Sequence, residues 1–134
     1  MNSLHLAALI LHEAIHAEIF RYVDKYVPGE DPNDRVRLFQ LYQYYLGLTN
    51  TLDYTENQAV SDAQHVYMAE NYVTPIANAL RTLDNNTHPL EYYMGFGWDG
   101  LRKYAFNGQL TEEQDSQYIQ YQQQVNQTYE EICN

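Results

Sequence analysis

The sequence predicts an all-α domain, a compact bundle of about five helices, and three observations carry that expectation. No segment alternates apolar and polar residues as a strand does. Long stretches run without glycine, and the turn-forming residues collect in a few short runs between them. At 134 residues the chain is long enough for one domain with a proper core and too short for two of ordinary size, so residues 1–134 are expected to form a single domain.

The first helix is predicted from Leu4 to about Tyr26, free of Gly and Pro, with Leu, Ala and Ile on nearly every side up to Ala17. A helix apolar all round must be covered all round. The run VPGEDPND, residues 27 to 34, ends it, and Asn33 or Asp34 can cap the next helix. RVRLFQLYQYYLGL, residues 35 to 48, is that second helix, closed near Gly47. Thr55 is placed to cap a third helix that runs to Leu83 and kinks at Pro75. After the turn LDNNTHP a fourth helical piece begins near Pro89, a favourable first-turn residue, and Gly95, Gly97 and Gly100 interrupt it or let it pack closely. Thr111-Glu112-Glu113 opens a glutamine-rich helix to about Ile132, with Leu110, Tyr118, Tyr121, Val125 and Ile132 as its contacts. The 14 tyrosines are expected to line the core with their hydroxyls at its edge.

Composition narrows the partners. With 7 basic and 18 acidic side chains the formal charge is −11, which repels phosphate backbones and anionic lipid heads. No nucleic acid and no membrane surface is expected as a partner. The N-terminal MNSLHLAALILHEAIHAEIF is apolar, but it lacks a basic leader and the roughly eighteen uninterrupted apolar residues of a membrane span, so it belongs to the fold. A single cysteine, Cys133, excludes an internal disulfide and a cysteine-rich zinc ribbon.

The chemistry lies in His12-Glu13-Ala14-Ile15-His16. Positions four apart share a helix face, so both imidazoles point toward one spot with Glu13 beside them. Two neutral imidazoles can hold zinc, while an adjacent, unligated glutamate takes a proton from water as it attacks a carbonyl. A catalytic zinc site generally has three protein ligands. His65 sits in DAQHVYMAENYV, residues 62 to 73, in the middle of the third helix, where a ligand is held rigidly. The alternatives are His5, near a fraying end, His88, in an Asn-rich turn, and Glu70, which points roughly 140° away from His65 on a regular helix. Tyr72, seven residues after His65 and on its face, is the candidate to stabilise an oxyanion. Asp62 is a candidate to orient His65 through its second nitrogen. Trp98 and the neighbouring glycines read as core packing, and Met68 as core or as the floor beneath a metal.

His12-Glu13-x-x-His16 followed by a lone His65 resembles the SprT-like zinc metallopeptidases, and more closely uncharacterised metallopeptidase-like proteins of that zincin kind. HVYMAENYV matches their histidine before a Met-Ala pair, and YYMGFGWDGL, residues 92 to 101, is similar to their Trp-Gly-rich segment, with Trp98 in place. The likeness runs over roughly residues 8 to 105, and only the HExxH is specific in itself. It implies His12, His16 and His65 as zinc ligands, Glu13 as general base, a peptide or protein substrate, and the helical part of a zincin-like domain. The zinc ribbon and the upstream sheet of that kind are absent, and the acidity does not suit its DNA-associated members.

A non-catalytic helical interaction domain, keeping the histidines as a metal staple or as core residues, is the alternative. One feature bears on both. Leu4, Leu9, Ile10, Leu11, Ile15, Ile19 and Phe20 point in too many directions for helices on one side to bury them, so either upstream sequence supplies a sheet or a second copy packs there. Upstream sequence is favoured because the resemblance begins at this helix. The chain is then the C-terminal part of a longer protein, and a homo-oligomer through the first helix a by-product.

Overall fold

Each predicted helical stretch is helical in the computed structural model, which describes residues 3–24, 36–51, 53–106 and 108–133. In chain order the helices are α1 (Ser3–Asp24), α2 (Val36–Gly47), α3 (Glu56–Asn71), α4 (Val73–Leu83), α5 (Leu90–Trp98) and α6 (Glu112–Cys133), with single 3-10 turns at Leu48–Asn50 and Arg102–Tyr104. No strand occurs among the described residues. No helix among them is long and apolar enough to cross a membrane. The run 27–34 with its caps, and the side chains of Phe20 and Ile132, lie outside the described residues.

The all-α expectation holds, with six α-helices among the described residues in place of about five. The additional one arises because the stretch from Thr55 to Leu83 breaks at Tyr72, with φ −118° and ψ −8°, and not at Pro75. Proline in a continuous helix would leave the carbonyl four residues back without its donor and crowd it. With the break at Tyr72, Pro75 becomes the third residue of α4, where its missing N–H has no intrahelical partner to lose. The chain hardly loosens there: the Tyr72 N–H still donates to the Met68 carbonyl at 2.8 Å, and the Ile76 N–H to that of Tyr72 at 3.0 Å.

Two helix starts arise from side-chain chemistry. The Thr55 hydroxyl accepts from the Gln58 N–H at 3.2 Å while the Gln58 amide oxygen accepts from the Thr55 N–H at 2.9 Å. Thr111 and Gln114 repeat this reciprocal box at the head of α6, both bonds at 3.1 Å.

The core has two parts, and α1 spans both. Ile19 packs with Leu38 and Leu41 of α2, Met68 of α3 and Leu101. Ala8 packs with Ile76, Ala77 and Leu80 of α4, Phe96 of α5 and Val125 of α6. Ile15 and Tyr72 touch both parts, so the break at Tyr72 is where the chain turns from one to the other. Helices α4 and α5 come so close that a Cβ on Gly97 would stand 2.5 Å from the Val73 carbonyl oxygen. Met68 and Trp98 are core residues, as expected, and so are Tyr118 and Val125 of α6. Tyr42, Tyr93 and Tyr104 are buried with their hydroxyls bonded to Gln64, Asp84 and Asp62. On α1, Leu6, Leu9 and Ile10 remain 48%, 45% and 59% exposed.

Candidate metal centre

Packing α1 against α3 brings His12, His16 and His65 to one point. The Nε2 atom of His16 lies 3.2 Å from that of His12 and 3.0 Å from that of His65. The first pair follows from the four-residue spacing on α1; the second depends wholly on the fold. Among the described residues no fourth His, Cys, Asp or Glu joins the group.

The outer nitrogens determine what the inner ones offer. His65 Nδ1 lies 2.7 Å from the Ser61 carbonyl oxygen, which can only accept, so the hydrogen sits on Nδ1 and Nε2 presents a lone pair. His16 Nδ1 lies 2.7 Å from the side-chain oxygen of Gln64, whose amide nitrogen donates to the Tyr42 hydroxyl at 2.7 Å. With the Gln64 amide in this orientation His16 also turns a bare Nε2 inward. Burial lowers the pKa of His12 and of His65, and the neighbouring His16 imidazole lowers both further. Both are thus held in the neutral form that ligates a metal. Lone pairs facing each other repel unless a cation lies between them. Around a tetrahedral zinc at 2.0–2.1 Å, ligand nitrogens stand about 3.3 Å apart, close to the spacings seen here. The three imidazoles could hold a metal ion, and their spacing suits one of zinc's size.

One side of His12 faces a cleft of about 400 Å³, lined also by His5, Ala8, Leu9, Glu13, Asp99 and Gly100. Glu13 is exposed at this opening. Gly100 has φ +79°, and a Cβ there would sit 3.2 Å from His12 Cε1, so a glycine lets the backbone turn close against the His12 ring. That turn is held by Arg102, which donates to Asp99 at 2.8 Å, Asp115 at 2.7 Å and Gln122 at 3.0 Å.

The other sequence candidates fall elsewhere. Glu70 is paired with Arg37 of α2, donating nitrogens at 2.7 and 3.0 Å, and lies outside the histidine group. His88 stacks on Tyr92. His5 shares the cleft and lies 3.8 Å from Asp99, outside the histidine group. Tyr72 meets Tyr67 and both parts of the core, and among the described residues no hydrogen bond or ring contact joins it to the three histidines. Asp62 does not orient His65 directly. A helical imidazole reaches back one turn, and the acceptor at that place is the Ser61 carbonyl, while Asp62 accepts from the hydroxyls of Tyr54 at 2.6 Å and Tyr104 at 3.0 Å.

Two residues of the site escape a reading of the sequence. Gln64 carries a signal: it is polar on the apolar face of α3, one helical turn from Val60 and Met68, and it is buried. Tyr104 carries none, because it arrives from a separate turn to stack on His65, ring planes 9° apart and centroids 4.9 Å apart. Burial and its bond to Asp62 push the Tyr104 phenol up to about 12, so it remains a donor at neutral pH. No family model, no curated protein and no solved structure matches the chain.

Proposed function

We propose that the chain is a zinc-dependent metallopeptidase domain, of the zincin kind that the SprT-like sequences typify, which hydrolyses peptide bonds. The observation that carries this is the convergence of three imidazole nitrogens, without a fourth protein ligand among the described residues, beside a cleft that Glu13 borders. Structural zinc sites are closed by four protein ligands, whereas catalytic ones keep a position open.

His12, His16 and His65 would hold the metal. Zinc bound there supplies Lewis acidity and makes water nucleophilic near neutral pH. Glu13, next to His12 but outside the ligand group, takes the proton from the attacking water and returns it to the leaving amine. Gln64 and the Ser61 carbonyl keep the hydrogens of His16 and His65 on Nδ1, so the ligating atoms stay unprotonated. The cleft between α1 and the Gly100 turn is where a peptide would lie.

The test is zinc content and cleavage together. Purified protein should carry one zinc, His65→Ala should lose it, and an unstructured peptide mixture should be cut by the first and not the second. Removing zinc with a chelator should also lower the melting temperature, because the ion joins α1 to α3. One firmly held zinc with no cleavage of any peptide would instead identify a metal staple between the helices.

A further inference from the structure

We propose that Tyr104 and Asp62 are positioning residues for His65, and that together they set how tightly its nitrogen holds a metal. The inference rests on the metal reading of the three histidines and not on peptide hydrolysis.

A single hydrogen bond fixes where one atom of a ring points and leaves the ring free to rock about that bond. His65 Nδ1 meets the Ser61 carbonyl at 2.7 Å and the Ser61 hydroxyl at 3.2 Å, and both contacts hold that one atom of the ring. Tyr104 supplies the missing constraint, since its ring lies nearly parallel to the imidazole, 9° off, and is itself buried. Its hydroxyl donates to Asp62 Oδ1 at 3.0 Å, while Asp62 Oδ2 accepts from Tyr54 at 2.6 Å. Asp62 stands three residues before His65 on α3, so the tether closes on the helix that carries the ligand. The backbone beneath Tyr104 is anchored by Arg102 to Asp99 and Asp115. His65 is thus clamped in point and in plane before any ion arrives, which lowers the ordering cost of coordination.

Zinc affinity, measured on the full chain by competition with a chromophoric chelator, and the visible bands of the cobalt(II)-loaded protein test the clamp. Tyr104→Phe and Asp62→Ala should each weaken zinc about 10-fold, and Tyr104→Leu, which also removes the ring, up to about 100-fold, with altered cobalt bands in each. Because Asp62 acts through Tyr104, the double variant Asp62→Ala/Tyr104→Phe should be no weaker than either single one; additive losses would overturn that. A purely structural role would lower the melting temperature and leave affinity and cobalt bands unchanged. Should Tyr104→Leu fail to fold, Tyr104→Phe, which keeps the packing, decides: wild-type affinity and bands overturn the proposal. Wild-type protein that binds no zinc overturns the metal reading and the clamp with it. Zinc bound equally by wild type and all variants overturns the clamp alone.

Discussion

The Nε2 atoms of His16 and His65 stand 3.0 Å apart although 49 positions separate the residues in the chain. Without a cation the pair can share a hydrogen bond only if His16 carries its hydrogen on Nε2, since the hydrogen of His65 is held on Nδ1 by Ser61, and Gln64 must then turn its amide to donate to His16 Nδ1 and accept from the Tyr42 hydroxyl. With a cation both rings carry their hydrogens on Nδ1, and α1 and α3 are joined.

Glu13→Gln should separate binding from chemistry. The residue lies outside the histidine group, so zinc should be retained with unchanged stoichiometry and affinity. Removal of the proton acceptor should lower peptide hydrolysis by at least about 10²-fold. Equal loss of metal and activity would make Glu13 a structural residue.

Acid should destabilise the metal-free protein through His12 and His65. Folding lowers both pKa values, by burial first and by His16 second, from an unfolded value of 6.5. The unfolded chain then binds more protons than the folded one over that interval, so stability rises with pH. The contribution is fully present above about pH 6.5, is lost as pH falls below it, and levels off beneath the folded values. Urea unfolding of chelator-treated protein between about pH 5 and 8 reads this, and a His12→Asn/His65→Asn variant should show a flatter dependence. An unchanged slope in that variant would assign the effect to other groups.

Local chemistry is legible in the sequence and long-range chemistry is not. Thr55 can be named as a cap because its bonding partner stands three residues on, and His12 with His16 can be paired because one helix turn separates them. His65 is reachable only as a histidine in a rigid place with few rivals. The histidine supports are not reachable: Gln64 bonds His16 across 48 positions, and Tyr104 reaches Asp62 across 42. The helix break lies three residues before its expected place because a proline acts on the carbonyl a turn before it, so the break falls at Tyr72 and not at Pro75 itself.

Gly97→Ala and Gly47→Ala should have opposite effects. A methyl on Gly97 would meet the Val73 carbonyl oxygen at 2.5 Å, a backbone atom that moves only if α4 and α5 separate. The expected cost is about 1–3 kcal/mol or more. Gly47 has φ −61° and ψ −27°, with nothing within 4 Å of its Cβ position, so alanine fits there and should stabilise by about 0.4–1 kcal/mol through the unfolded chain. A urea midpoint for Gly97→Ala at or above that of the wild type would contradict the close approach of α5 to α4.

The exposed apolar residues of α1 make the last prediction. Ile10 is 59% exposed and Ile19, on the same helix, 1%. Ile19→Ala should therefore cost about 2–5 kcal/mol, since it empties a site between α1, α2 and α3. Ile10→Gln should stay within about 0.5 kcal/mol, because the side chain already meets water. Leu6 and Ile10 stand four apart on one side of the helix, with Leu9 beside them, and together they form an apolar strip next to the cleft. Such a strip favours association of copies as concentration rises. Sedimentation should show the wild-type chain associating over a concentration series, and Leu6→Gln/Ile10→Gln, which leaves the cleft-lining Leu9 in place, remaining a monomer with its zinc content intact. A wild-type chain that stays monomeric throughout would show that this strip does not draw copies together, and a double variant that unfolds would show that Leu6 and Ile10 are packed against something after all.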